Sequence, residues 1–184
     1  MNHSFTPGLT WVKMLNHDLD GGFFPSMRDV RSYNPGNPDA YIYSILDQME
    51  KYRENGVFRW RICYMEVSTI EFPCNEWIQS SNFIEETQVV GFKPIHLAWS
   101  NFVGLKLVPL STFNAVNNGY SYLYGIGNLR PFNWGIVGPG NGYHNVLKVE
   151  LYITKSKNKS IYSMGVVIPL VYFRHQVSRP KRSL

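Results

Sequence analysis

Hydrophobic and polar positions alternate along this chain in short runs, broken by Gly, Pro, Asn and Asp, a strand-and-turn pattern over most of its length. Residues 10–15 (TWVKML) alternate and predict a strand, and residues 18–22 (DLDGG) predict a turn. Residues 57–65 (VFRWRICYM) predict the clearest strand, with Phe58, Trp60, Ile62 and Tyr64 on one face and Arg59, Arg61 and Cys63 on the other. Extended structure is also predicted for residues 76–80 (EWIQS) and 89–99, where Pro94 demands an edge or a bulge. Residues 102–110 alternate weakly, and residues 120–127 and 146–153 predict the last strands. In the final one, Leu147, Val149, Leu151 and Ile153 alternate with Lys148, Glu150 and Tyr152. One segment follows a different period. Ile42, Ile45, Leu46, Met49 and Tyr52 recur at helical spacing, Asn37, Pro38 and Asp39 supply a start, and Asn55-Gly56 supplies a stop. This predicts a helix over residues 39–55 with a core-packing stripe. The fold class is therefore α+β, β-rich, with a mostly antiparallel sheet and one main helix.

Composition agrees with a single domain. The 184 residues are 44% hydrophobic, 17% charged and 15% aromatic, which excludes a disordered or coiled-coil chain. The formal charge of +5 raises the question of nucleic acid. However, Lys155, Lys157, Lys159, Arg174, Arg179, Lys181 and Arg182 all follow the last strand, and without them residues 1–154 carry −2. The excess reads as a solvated basic tail over residues 155–184, and no nucleic-acid partner is expected. No membrane span is expected either, because the apolar stretch at residues 161–173 is short and interrupted by Pro169. The opening MNHSFTPGLTW lacks the apolar core of a signal peptide, so a secreted protein with this start reads as a mature form or a fragment. Asn2 and Asn158 lie in glycosylation sequons.

Candidate chemistry is sparse. No Gly-x-Ser-x-Gly elbow and no Gly-x-x-x-x-Gly-Lys loop occurs, His17, His96 and His144 are scattered, and the chain reads as non-enzymatic. Asp18-x-Asp20-Gly21 offers hard oxygens to calcium, but an ordinary Asp-Gly turn is the stronger reading and no cofactor is expected. Cys63 and Cys74 read as a disulfide, worth roughly 2–3 kcal/mol for so short a loop, with two buried free thiols as the alternative. The Gly/Pro-rich segment 128–145 carries Phe132, Asn133, Trp134, Asn141, Tyr143 and His144. Aromatic faces beside fixed polar groups suit a sugar, so Trp134, Asn141, Tyr143 and His144 are the candidate ligand-binding residues. The alternative is that Trp134 and Tyr143 anchor the segment to the core.

The stretch CNEWIQSSN (74–82) is distinctive. With GLTWVK (8–13), YSILDQ (43–48) and the closing Gly138-Pro139 and KVELY (148–152), in that order, it resembles the secreted fibrinogen-like-domain proteins of sea anemones and corals, including coral skeletal organic matrix proteins. The resemblance covers residues 8–154. It implies a single extracellular fibrinogen-related domain, similar to lectins that recognise sugars, sometimes with calcium. The partners it implies are glycans or extracellular matrix proteins. The alternative function is a structural or skeletal matrix protein without a small-molecule ligand.

Overall fold

The computed structural model describes residues 9–66, 73–107, 114–117, 123–129, 136–139 and 145–155. Its nine strands are β1 (Thr10–Asp18), β2 (Ile42–Ser44), β3 (Phe58–Glu66), β4 (Cys74–Gln79), β5 (Lys93–His96), β6 (Asn114–Asn117), β7 (Leu123–Ile126), β8 (Ile136–Val137) and β9 (Asn145–Lys155). Seven of them form one sheet in the order β2-β1-β9-β3-β4-β5, with β8 paired to β9, while β6 and β7 form a separate ladder. Every pairing among the described residues is antiparallel. The β-rich, antiparallel expectation holds.

The sequence alternation explains the two faces of the central strands. Trp60, Ile62, Tyr64, Trp77, Val149, Leu151 and Ile153 are all fully buried on one side. Trp60 lies opposite Trp77 in register, with ring centroids 6.4 Å apart. Phe83 meets Trp60 edge-on at 5.1 Å, Phe102 meets Trp77 at 4.7 Å, and Tyr124 of β7 meets Phe102 at 5.0 Å. This continuous aromatic cluster ties the β6–β7 ladder to the main sheet, and edge-to-face pairs add to the area that the rings bury.

The helix predicted over residues 39–55 is not formed. Residues 42–44 are instead the edge strand β2, with Leu15 opposite Ser44 and His17 opposite Ile42, and Leu46–Tyr52 is a 3-10 helix. The stripe is still core, since Ile42, Ile45, Leu46 and Met49 are buried. Pairing with β1 overrides the local period, and the hydroxyl of Ser44 breaks the path of the chain by donating to the Val30 carbonyl and accepting from the Leu46 amide. Asn37 does accept the Asp39 amide, but within a turn. Asn55 and Gly56 stop no helix. Both have positive φ, 50° and 81°, and they turn a tight hairpin between Glu54 and Val57 that launches β3. The α-helix of the described residues is Met27–Arg31, capped by Ser26, whose hydroxyl accepts the Asp29 amide.

Two further expectations are shortened. Of residues 89–99 only Lys93–His96 is strand, because Gly91 turns at φ 68° and residues 80–92 leave the sheet. Residues 102–107 form no strand, and their backbone is held by the Gln79 side chain instead.

Candidate functional site

The candidate ligand residues Trp134, Asn141, Tyr143 and His144 lie outside the described residues, as do the sequons at Asn2 and Asn158 and residues 156–184. What is described is the frame around three of the four. Ile136 pairs with Val146 and Val137 with Asn145, so positions 141, 143 and 144 fall within the connection of the β8–β9 hairpin. Gly138 leaves β8 against Val146, where an added Cβ would sit 2.3 Å from a valine methyl, so no larger residue fits that exit.

The cysteine prediction is met. Cys63 and Cys74 are bonded across directly opposed positions of β3 and β4. Their Cα atoms are 4.1 Å apart, a little inside the usual range, as close cross-strand neighbours are. The Asp18 turn is engaged by the protein itself: Asp18 accepts the Asp20 amide at 3.1 Å and lies 3.7 Å from Lys148 Nζ. Among the described residues no group of three His, Cys, Asp or Glu side chains is placed to hold a metal ion.

The most organised polar chemistry lies on the sheet face away from the aromatic core. Register sets Lys13, Tyr152, Arg61 and Glu76 side by side on β1, β9, β3 and β4. Glu150, Cys63 and Cys74 form the neighbouring row. Arg61 donates to Glu76 Oε1 through Nε at 2.9 Å and Nη2 at 2.5 Å, and Arg59 reaches Glu76 Oε2 at 3.4 Å. The Arg61 guanidinium also stands 4.2 Å from the ring centre of Trp11, a cation–π contact. Lys13 and Lys148 share Glu150 Oε1 at 3.3 and 3.2 Å, while the Tyr152 hydroxyl donates to Glu150 Oε2 at 2.6 Å. Burial works to raise the pKa of Glu150, but the Tyr152 hydrogen bond and the two lysines outweigh it, and the carboxyl stays below its usual range. Burial, then the Glu150 carboxylate, push Tyr152 the other way, so its phenol stays protonated.

Four cations and three carboxylates thus alternate across this face and largely offset one another. Such a lattice orients donors and an aromatic ring rigidly. It is not a contiguous acidic surface of the kind that binds mineral. The sequence had shown the alternation of Arg59 and Arg61 with the core residues of β3, and of Lys148, Glu150 and Tyr152 with those of β9. It did not show that the two sets lie in one lattice with Trp11 and Lys13, because the register between distant strands leaves no local signal.

CNEWIQSSN resolves into structural duties. Cys74 makes the bridge, Asn75 Oδ1 accepts the Trp99 amide at 3.2 Å, Glu76 holds the arginines, and Trp77 fills the core. Gln79 is a buried hub. Its Oε1 accepts from Trp77 Nε1 at 2.8 Å and the Leu105 amide at 3.1 Å, while its Nε2 donates to the Leu105 and Ser81 carbonyls, each at 2.9 Å. The Ser80 carbonyl takes Arg53, Ser81 Oγ takes the Val90 amide, and Asn82 donates to Glu50. No protein-family model, curated protein or solved structure matches the chain. Among the described residues no helix is long and apolar enough to cross a membrane.

Proposed function

We propose that this chain is a non-enzymatic extracellular binding domain that recognises carbohydrate, with Trp134, Asn141, Tyr143 and His144 as its contact residues. The observation that carries the reading is the β8–β9 hairpin, which anchors both ends of the segment holding Asn141, Tyr143 and His144 to the long strand β9. Loops fixed on a rigid sheet are where binding residues concentrate. The Cys63–Cys74 bridge supports an oxidising compartment, since such bonds rarely persist in the cytosol. Most polar side chains of CNEWIQSSN and of the charged face are taken up by other groups of the protein, which favours ligand contacts in the connections. The largely offset charge of that face favours glycan recognition over a mineral-binding matrix role. Kinship with cnidarian fibrinogen-like proteins is part of the same proposal. Glycan-array screening of the wild type against Trp134→Ala, each checked for native circular dichroism, tests it. Loss of a wild-type signal in the variant is the expected result. Equal binding by both, or by neither, removes the site.

A further inference from the structure

We propose that His17, Phe23 and Phe24 form an acid-operated latch, in which protonation of His17 drives its ring from the core and releases residues 22–24 together with their tie to Asn128. His17 is fully buried on the core face of β1, opposite Ile42 of β2 and Val149 of β9. Its Nε2 lies 2.9 Å from the Gly22 carbonyl. A carbonyl only accepts, so Nε2 carries the hydrogen and Nδ1 is the bare acceptor. Nδ1 is buried and has no hydrogen-bond partner. The ring is walled edge-on by Phe23 at 5.8 Å and Phe24 at 5.0 Å. A second proton must therefore go onto Nδ1, where the new N–H would meet no acceptor.

The charged and titratable groups around the ring offer little relief. From β1 itself comes Asp18, whose carboxylate already takes Lys148 and the Asp20 amide. The register partners on β2 and β9 are Ile42 and Val149, neither ionisable. Residues 22–24 contribute a carbonyl and two phenyl rings, with Tyr33 standing behind Phe24 at 6.1 Å. Asp20, in the following turn, is exposed. Burial dominates and brings the pKa of His17 down to about 4, with the Gly22 bond and Asp18 pushing back less.

The far side of the tripeptide is also under-satisfied. The Phe24 amide donates to the Asn128 carbonyl at 3.1 Å, while the Asn128 side chain is buried with neither Oδ1 nor Nδ2 partnered. Opening this segment hydrates three polar atoms that the closed state leaves unmet, so local release costs less than it would elsewhere in the sheet. The neutral ring favours the closed state, and the charged ring favours the open one.

Hydrogen exchange resolved to single amides by NMR, corrected for intrinsic rates, decides the matter between pH 7 and pH 3.5. Protection of the Phe24 amide should fall at least about tenfold as His17 protonates, while amides of β3 and β9 keep theirs. His17→Gln, whose side-chain N–H can still reach Gly22 but cannot charge, should stay flat. Unchanged protection at Phe24, an equal fall in His17→Gln, or a fall shared by all strands overturns the latch. Should the variant fail to fold, nitrogen shifts of the wild-type His17 ring decide alone. A ring protonated at Nδ1 at neutral pH, or titrating near 6.5 as an exposed histidine does, also overturns it.

Discussion

Replacing Gln79 with leucine removes one side chain of similar size and leaves four backbone and side-chain groups without their partner. The Trp77 indole N–H and the Leu105 amide lose their acceptor, and the Leu105 and Ser81 carbonyls lose their donor. Gln79 is fully buried, and Gly104 approaches its Oε1 so closely that a Cβ there would lie 2.9 Å away, so water has no easy route in. Each stranded buried group costs about 1–3 kcal/mol, and the two donors alone put the loss at roughly 4 kcal/mol. That is a large part of the roughly 5–15 kcal/mol typical of a domain. Urea unfolding followed by tryptophan fluorescence measures it. Gln79→Glu supplies an internal check: its carboxylate keeps the two acceptor bonds but turns oxygen toward the Leu105 and Ser81 carbonyls. Its folded pKa is therefore raised, so its stability is greatest below the unfolded carboxylate range and is lost as pH rises through the folded value. A leucine variant within about 1 kcal/mol of wild type, or a glutamate variant that gains nothing on acidification, refutes the hub argument.

Cys63→Ser/Cys74→Ser should lose roughly 2–3 kcal/mol while keeping its circular dichroism, because the β3–β4 ladder persists without the bond. Mass spectrometry of the unreduced wild type should find it lighter than the reduced form by two hydrogens, and two alkylatable thiols would remove the argument for an oxidising compartment. Glu150→Gln should destabilise by about 1–3 kcal/mol at pH 7, since it deprives Lys13, Lys148 and Tyr152 of their shared carboxylate. The folded pKa of Glu150 lies below its unfolded value, so its contribution is complete above the unfolded pKa and disappears as pH falls through the folded one. Unfolding curves of the two proteins should therefore converge in acid, and a gap that persists there refutes the charge lattice.

Strand pattern was legible wherever a face is buried. Residues 58–66 and 145–155 read correctly because alternation is the direct image of one dry face and one polar face. Residues 42–52 misled because Ile42, Ile45, Leu46 and Met49 satisfy a helical period by content while the segment is bent by pairing to β1 and by the bonds of Ser44. A period reports which residues are buried. It does not report the backbone that buries them, and a short strand followed by a 3-10 helix can bury the same set. The helix Met27–Arg31 was missed for the opposite reason. Its Ser26-x-x-Asp29 start is plain, but five residues are too few to show a stripe.

The role of CNEWIQSSN bears on what any resemblance through it can mean. A stretch stands out in a sequence when many neighbouring positions each tolerate few residues. Here the intolerance has a structural source at nearly every position: a bridge at Cys74, ion pairs at Glu76, stacking at Trp77, a four-way amide at Gln79, and loop tethers at Ser81 and Asn82. The bonds of Asn75 and Gln79 tie Trp99 and Leu105, in the stretch after β5, back to β4. A domain that shares this stretch must therefore share that packing. It need not share a ligand, because none of these side chains is left aimed at solvent to contact one. Ligand choice would then sit in the connections between strands, where residues can vary without disturbing Gln79 or its partners. The connection between β8 and β9, which carries positions 141, 143 and 144 of the proposed site, is of this kind. Under the proposed carbohydrate-binding role, Gln79→Leu should therefore lower the folded fraction in urea unfolding while leaving the glycan-array profile of the folded protein unchanged.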